Sequence, residues 1–380
     1  MIRFMPRRYW AVIAVALALI MSVLDGTIVN VALPTLSREF GTSPSSTIWI
    51  VNAYQLTITM SLLSFSALGD IYGYKRIFLI GTTIFCSTSL FCALSSSFAM
   101  LTVARILQGI GASAIMSVTT ALLRIIYPPQ YIGRGMSINA MVVAVSIAAG
   151  PSLAGAILSV ASWNWLFAIN VPLGICAIIT GYFLLPQNPC KDGPKRKFDK
   201  IGGISNALTF GLLIYSLEGI AHHENWRMIA LQVLLLLVNG TFFIRRQLRQ
   251  EVPILPLDLM RIPIFALSVL SSITSFTAQL LAMVSLPFYL QNVAGRNEVE
   301  TGLLLTPWPV ATILTAPVAG RLIEKYHPGL LGGIGMVVYA TGLLLLALLP
   351  GQPTNMDIAW RLMLCGMGFG LFQTPNNSTM

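Results

Sequence analysis

The chain has 380 residues, of which 56% are hydrophobic and only 9% charged, and its net charge is +10. A water-soluble protein carries roughly 25% charged residues, so this chain has too few to clothe a surface in water. Its solvent is lipid, and composition alone predicts an all-α polytopic membrane protein.

Long apolar runs recur along the whole sequence, each close to the roughly 20 residues a helix needs to cross a bilayer. They predict spans at 9–33, 47–68, 77–95, 98–122, 135–159, 165–185, 202–220, 228–244, 264–288, 301–323, 330–349 and 357–380. The first run follows Arg3, Arg7 and Arg8 as a signal peptide would, but it is too long and lacks a small-residue cleavage site. It is read as a retained span. With the N-terminus in the cytoplasm, Lys and Arg divide 18 to 3 in favour of the inner segments. That split accounts for the basic balance without nucleic acid. The five cysteines show no spacing that argues for a disulfide or a metal site.

The polar connection after the sixth span divides the chain. The expected organisation is an N-terminal six-helix bundle (1–188), a cytoplasmic linker (189–200), a two-helix insert (201–246) and a C-terminal bundle of four helices (247–380). A weak repeat supports this. Arg105 followed by Gly109 and Gly111 in the fourth span is echoed by Arg361 followed by Gly366, Gly368 and Gly370 in the twelfth, one residue out of phase. If spans nine to twelve repeat spans one to four, the second bundle lacks two helices, and a complete form would have about fourteen spans.

Asp25 is the most informative residue. It sits inside the first span, where a charge costs about 2.5–3.5 kcal/mol on insertion scales. Arg105, about two turns into the fourth span, lies at a similar depth. A guanidinium there would hold Asp25 ionised when paired and release it when separated; a purely structural ion pair is the alternative. The turn Gly69-Asp70-x-x-Gly73-x-Lys75-Arg76 joins two spans tightly, and Asp70 is placed to pair with a base on a neighbouring helix end as a breakable latch. In the fifth span, Ala144, Ala148, Pro151, Ser152 and Gly155 form one small-residue face that another helix can approach closely. Asn52, Gln55, Asn139, Asn206 and Gln279 are candidates to line a polar cavity or to bond between helices. Glu218 is a second acid near a span end. No Gly-Lys-Ser/Thr phosphate loop and no catalytic constellation occurs, so neither ATP hydrolysis nor another enzyme activity is expected.

Several of these patterns resemble one family. Gly69–Arg76 is similar to the loop signature of the major facilitator superfamily, and Arg105-x-x-Gln108-Gly109-x-Gly111 to its fourth-helix signature. Gly150-Pro151-x-x-x-Gly155 looks like the motif of its antiporters. Leu24-Asp25-x-Thr27-Ile28-Val29-Asn30-Val31-Ala32-Leu33-Pro34 resembles the first-helix motif of its fourteen-span drug:proton antiporters, the EmrB/QacA-like group. Trp163–Pro172 resembles that group's connection between helices five and six, with Asn164 where a base is usual.

The resemblance implies two helix bundles around a central cavity, rocking between inward and outward states. It implies a bacterial inner-membrane protein that exports lipophilic or cationic drugs in exchange for protons. The proton gradient would drive it, with no cofactor and no metal. A monomer is expected, working alone or with an accessory efflux partner. Two alternatives stay open: a uniporter or symporter of a polar solute on the same fold, and a non-transporting sensor or inactive fragment.

Overall fold

The structure is a computed structural model that describes residues 7–128, 132–187, 198–221, 225–250, 257–323, 325–350 and 353–379. Its helices are α1 (Arg7–Glu39), α2 (Pro44–Thr47), α3 (Trp49–Tyr72), α4 (Tyr74–Ala93), α5 (Phe98–Ile126), α6 (Ile132–Val160), α7 (Trp165–Ala168), α8 (Asn170–Leu184), α9 (Lys200–Ala221) and α10 (Trp226–Leu248). They continue with α11 (Pro263–Phe288), α12 (Glu298–Leu305), α13 (Pro307–Ile323), α14 (Pro328–Ala347) and α15 (Asn355–Thr379). No strand occurs among the described residues. Lipid offers no partner to backbone N–H and C=O groups, so apolar runs of this length satisfy them internally as helices.

Ten helical segments among the described residues are long and apolar enough to cross a membrane. Helices α9 and α15 stand where two more spans are expected but fall outside that set. In α15 the reason is visible: Asp357, Arg361 and the Asn376–Asn377 pair lower its hydropathy.

Internal contacts divide the chain into two units, each discontinuous in sequence. The first comprises 1–22, 49–137 and 167–257, and the second 23–48, 138–166 and 258–380. In the first unit α5 packs on both α3 and α4, α8 packs on α4, and α9 joins α3 to α10. The α9–α10 seam is polar. Ser205 Oγ donates to Asn239 Oδ1 at 3.1 Å, and Asn239 Nδ2 donates to Thr209 Oγ1 at 2.8 Å. Asn206 Nδ2 donates to the Met60 carbonyl of α3 at 3.0 Å, a bond between helices. In the second unit α15 packs on α13 and α14.

The two three-helix cores repeat each other residue for residue. A Cβ on Gly111 of α5 would lie 2.6 Å from Phe85 N and 2.8 Å from Gly81 O of α4. A Cβ on Gly368 of α15 would lie 2.6 Å from Tyr339 Cα and 2.9 Å from Gly335 O of α14. Likewise Gly109 meets the Tyr54 carbonyl of α3 at 2.8 Å, and Gly366 meets Trp308 of α13. The arginines break the register. Four residues before Gly109 stands Arg105, but four before Gly366 stands Leu362. One residue is about 100° of helix rotation. Arg105 and Leu362 are therefore the fully buried equivalents, both 0% exposed, while Arg361 turns aside and stacks over Trp360 at 5.0 Å.

Candidate functional site

Asp25 lies in α1 and is 1% exposed, after sixteen residues from Tyr9 to Leu24 that carry no charge. Two residues on, the Thr27 hydroxyl donates back to the Leu24 carbonyl at 2.9 Å, which leaves its Cβ pointing outward as a knob. Opposite that knob is Gly150 of α6, where an added Cβ would come within 2.8 Å of Thr27 Cβ. Helix α6 can approach α1 this closely, two residues or about half a turn beyond Asp25, because position 150 has no side chain.

The other motif residues carry α6 onto α12. A Cβ on Gly155 would lie 2.7 Å from the Glu298 carbonyl, and one on Gly302 would lie 2.9 Å from the carbonyl carbon of Pro151. The Ser152 and Thr306 hydroxyls are hydrogen bonded across the same contact. Glu298, at the start of α12, in turn holds α1: its Oε1 accepts from Thr35 Oγ1 at 3.2 Å and from Arg38 Nη2 at 3.3 Å. Helix α11 runs into a π turn at Tyr289–Val293, and from it Gln291 Nε2 donates to the Val31 carbonyl at 3.0 Å. Thus one half of α1 is gripped by α6, α12 and the π turn, each through a sterically or chemically specific contact. Asn30, which belongs to the same first-helix motif, is 8% exposed with Oδ1 buried.

Arg105 belongs to the first unit, whereas Asp25 belongs to the second. Within its own unit the guanidinium is fully buried. Nε donates to the Ile50 carbonyl at 3.1 Å and Nη1 to Gln108 Oε1 at 2.6 Å. Its plane lies 4.0 Å from the Tyr54 ring centroid and 5.7 Å from that of Phe167. Gln108 is anchored by donating to Ser89 Oγ at 2.8 Å, and Tyr54 by donating to the Ser22 carbonyl at 2.8 Å. The aromatic faces and fixed acceptors stabilise a positive charge in this dry setting. Gln108 is legible in the fourth-helix motif; Tyr54 and Ser89 carry no sequence signal, because their role depends on how α3 and α4 meet α5.

In the turn after α3, Gly73 takes φ 102°, a backbone conformation that favours glycine. The Tyr74 hydroxyl donates to Asp70 Oδ1 within the same turn. Lys75 also ties the turn to a neighbouring helix end, its Nζ donating to the Tyr182 carbonyl of α8 and to the carbonyl of Leu185 just beyond it at 2.7 and 2.9 Å. A cation there also suits the negative end of the helix dipole. Gly69 is buried against Tyr74 and Val118, and Arg76 is exposed.

Asn52 and Gln55 are exposed on one face of α3, one turn apart. Asn139 of α6 and Gln279 of α11 are partly buried and belong to the other unit. His222 and His223, and the Glu218 side chain, lie outside the described residues. No cluster of metal-binding side chains occurs among the described residues.

Comparison with known proteins agrees with this picture. The uncharacterized transporter YebQ of Escherichia coli is 56% identical over 99% of this chain and 82% of its own length. The riboflavin transporter RibZ of Clostridioides difficile is 28% identical, over 99% of this chain and 81% of its own. The tetracenomycin C resistance and export protein of Streptomyces glaucescens is 33% identical, over 88% of this chain and 63% of its own. A crystal structure of a POT family transporter in complex with 5-aminolevulinic acid shares the fold, with a TM-score of 0.69 at 17% identity, over 97% of this chain and 82% of that one. Residues 15–380 match the family described as Major Facilitator Superfamily. The chain belongs to that superfamily and is a multi-pass membrane transporter.

Proposed function

We propose that this transporter exports lipophilic or cationic compounds in exchange for protons, with Asp25 as the carboxyl that alternates between proton and substrate. The observation that carries this reading is the placement of one acid, 1% exposed, after a long apolar stretch of α1 and two residues from the contact between Thr27 and the antiporter-like glycine Gly150. A chain that retains such a costly residue inside a span normally uses it. The resistance and export function in the name of the Streptomyces relative supports the direction of transport.

In the proposed cycle, ionised Asp25 attracts a lipophilic cation while the site is open to the cytoplasm, the side on which the charge count puts the N-terminus. A proton arriving from the opposite side neutralises Asp25, and the cation leaves. When one monovalent cation leaves for each proton no net charge crosses, so one pH unit supplies about 1.4 kcal/mol and sustains roughly a tenfold gradient; a neutral substrate would also draw on the membrane potential, about 2.3 kcal/mol per 100 mV.

Reconstituted protein tests this directly. Asp25→Asn should insert and unfold like the unmodified chain but lose substrate-induced proton flux and pH-driven dye efflux. Undiminished efflux in that variant would remove Asp25 from the mechanism. A second reading, transport of a polar solute, rests on the exposed polar face of Asn52 and Gln55 and on the riboflavin-transporting relative. Efflux of hydrophilic solutes in the same liposomes, with no response to lipophilic cations, would favour it.

A further inference from the structure

Helix α10 is built inside out by the standards of a water-soluble protein. Its buried stripe is polar or mixed: Gln232, Asn239, Phe243 and Gln247 follow one another at helical spacing toward α9. The opposite stripe is exposed and apolar. Leu231, Leu234, Leu235, Val238 and Phe242 are each between 47% and 61% exposed. That face meets lipid.

The stripe ends in cations. Arg245 and Arg249 continue the line of Val238 and Phe242 at spacings of three or four residues, so the two guanidinium stems rise side by side from the apolar track. Around them opens a groove of about 840 Å³, lined by Val238, Phe242, Arg245, Arg246 and Arg249 among others. Arg246 is already neutralised. It donates to Asp199 through Nε at 3.2 Å and Nη2 at 2.7 Å, and Gln250 donates to the same carboxylate. Arg245 and Arg249 have no such acid among the described residues. Among the described residues, the groove therefore presents two guanidinium groups without an acid partner at the head of an apolar track that rises about 16 Å between residues 231 and 242.

From this juxtaposition we propose that the α10 groove is a binding site for one anionic phospholipid. Its phosphodiester sits between Arg245 and Arg249, and an acyl chain lies along Phe242, Val238 and the leucines above. Guanidinium groups match phosphate oxygens in geometry as well as charge. An apolar track leading away from such a pair selects an amphiphile over a free anion. A second copy of the chain is disfavoured as occupant. A two-fold contact through this face would bring each arginine pair against its own copy.

The test is lipid retention by the full chain in detergent, read by native mass spectrometry. The probes are phosphatidylglycerol, phosphatidylcholine with the same acyl chains, and the water-soluble headgroup glycerophosphoglycerol. The protein should hold one phosphatidylglycerol at concentrations where it holds neither of the others. The double variant Arg245→Gln/Arg249→Gln should bind it about thirty-fold more weakly, whereas Arg321→Gln/Lys325→Gln, which removes the same charge elsewhere, should leave it unchanged. Both should keep the parent unfolding profile, since all four side chains are exposed. Equal retention by the α10 double variant would overturn the site. So would equal binding of phosphatidylcholine or of the bare headgroup, or a dimer that the α10 variant abolishes.

Discussion

The contact between α1 and α6 can be tested by exchanging its knob. In the native chain a single Cβ, that of Thr27, occupies the crossing, and Gly150 leaves room for it. Gly150→Ala puts two Cβ atoms 2.8 Å apart. Carbon atoms settle at about 3.5–4.0 Å, so the helices must separate by roughly 0.8 Å. Rotation about the Thr27 side chain moves its hydroxyl but not its Cβ. Overpacking of this kind costs about 1–3 kcal/mol, offset by about 1 kcal/mol from the better helix propensity of alanine. Gly150→Ala alone should therefore lose about 1 kcal/mol. Thr27→Gly removes the native knob, and the double variant again has one Cβ at the crossing. Propensity changes cancel around the double-mutant cycle, so the coupling isolates the steric part, about 1–2 kcal/mol in favour of the double variant. Reversible unfolding in mixed micelles, followed by tryptophan fluorescence, measures it. Coupling below about 0.3 kcal/mol, the scatter of independent sites, would mean that α1 and α6 do not meet at Thr27 and Gly150.

The two repeat-related arginines should differ sharply. Arg105→Met removes the hydrogen bonds to Ile50 and Gln108 and a stacked charge and should cost about 3–5 kcal/mol. Arg361→Met should stay within about 1 kcal/mol of the parent, because Arg361 Nε and Nη1 are buried without an acceptor among the described residues; equal losses would contradict the one-residue phase shift. At low pH the pair at the base of α9 should matter. The hydrogen bond from Arg246 holds the Asp199 carboxyl down to about 2, below its ordinary 3.8. A carboxyl lowered on folding adds stability above the unfolded value, and that stability is lost as pH falls from near 4 through about 2. Asp199→Asn should flatten that part of the profile in a pH series of unfolding midpoints, and an unchanged slope would place the acid sensitivity elsewhere.

Much of the candidate site's local geometry was legible because membrane burial leaves strong marks in sequence. One acid in an apolar run identifies Asp25, since charge in lipid is expensive wherever the helix packs. Glycine pairs mark close approaches, and Gly109, Gly111, Gly150 and Gly155 all make them. Their partners were not legible. Gly155 meets Glu298, and Gly302 meets Pro151, across about 150 residues of chain, and no local pattern specifies which small face finds which helix. The turn after α3 shows the same division. Its glycines and charges are evident, but the bonds from Lys75 go to carbonyls at the end of α8, which carry no side-chain signature.

By itself, then, the sequence determined the solvent, the helical class, the family and the costly acid. Each follows from the free energy of placing a given side chain or peptide group in lipid, which is a property of the residue and its near neighbours. Tertiary structure decided what surrounds the charges. Whether an arginine is stacked on Tyr54, turned over Trp360, paired with Asp199 or left at the head of an apolar groove depends on helix rotation and approach. A single residue of phase, about 100° of rotation, separates the buried Arg105 from the displaced Arg361, and only packing against the neighbouring helices resolves that angle.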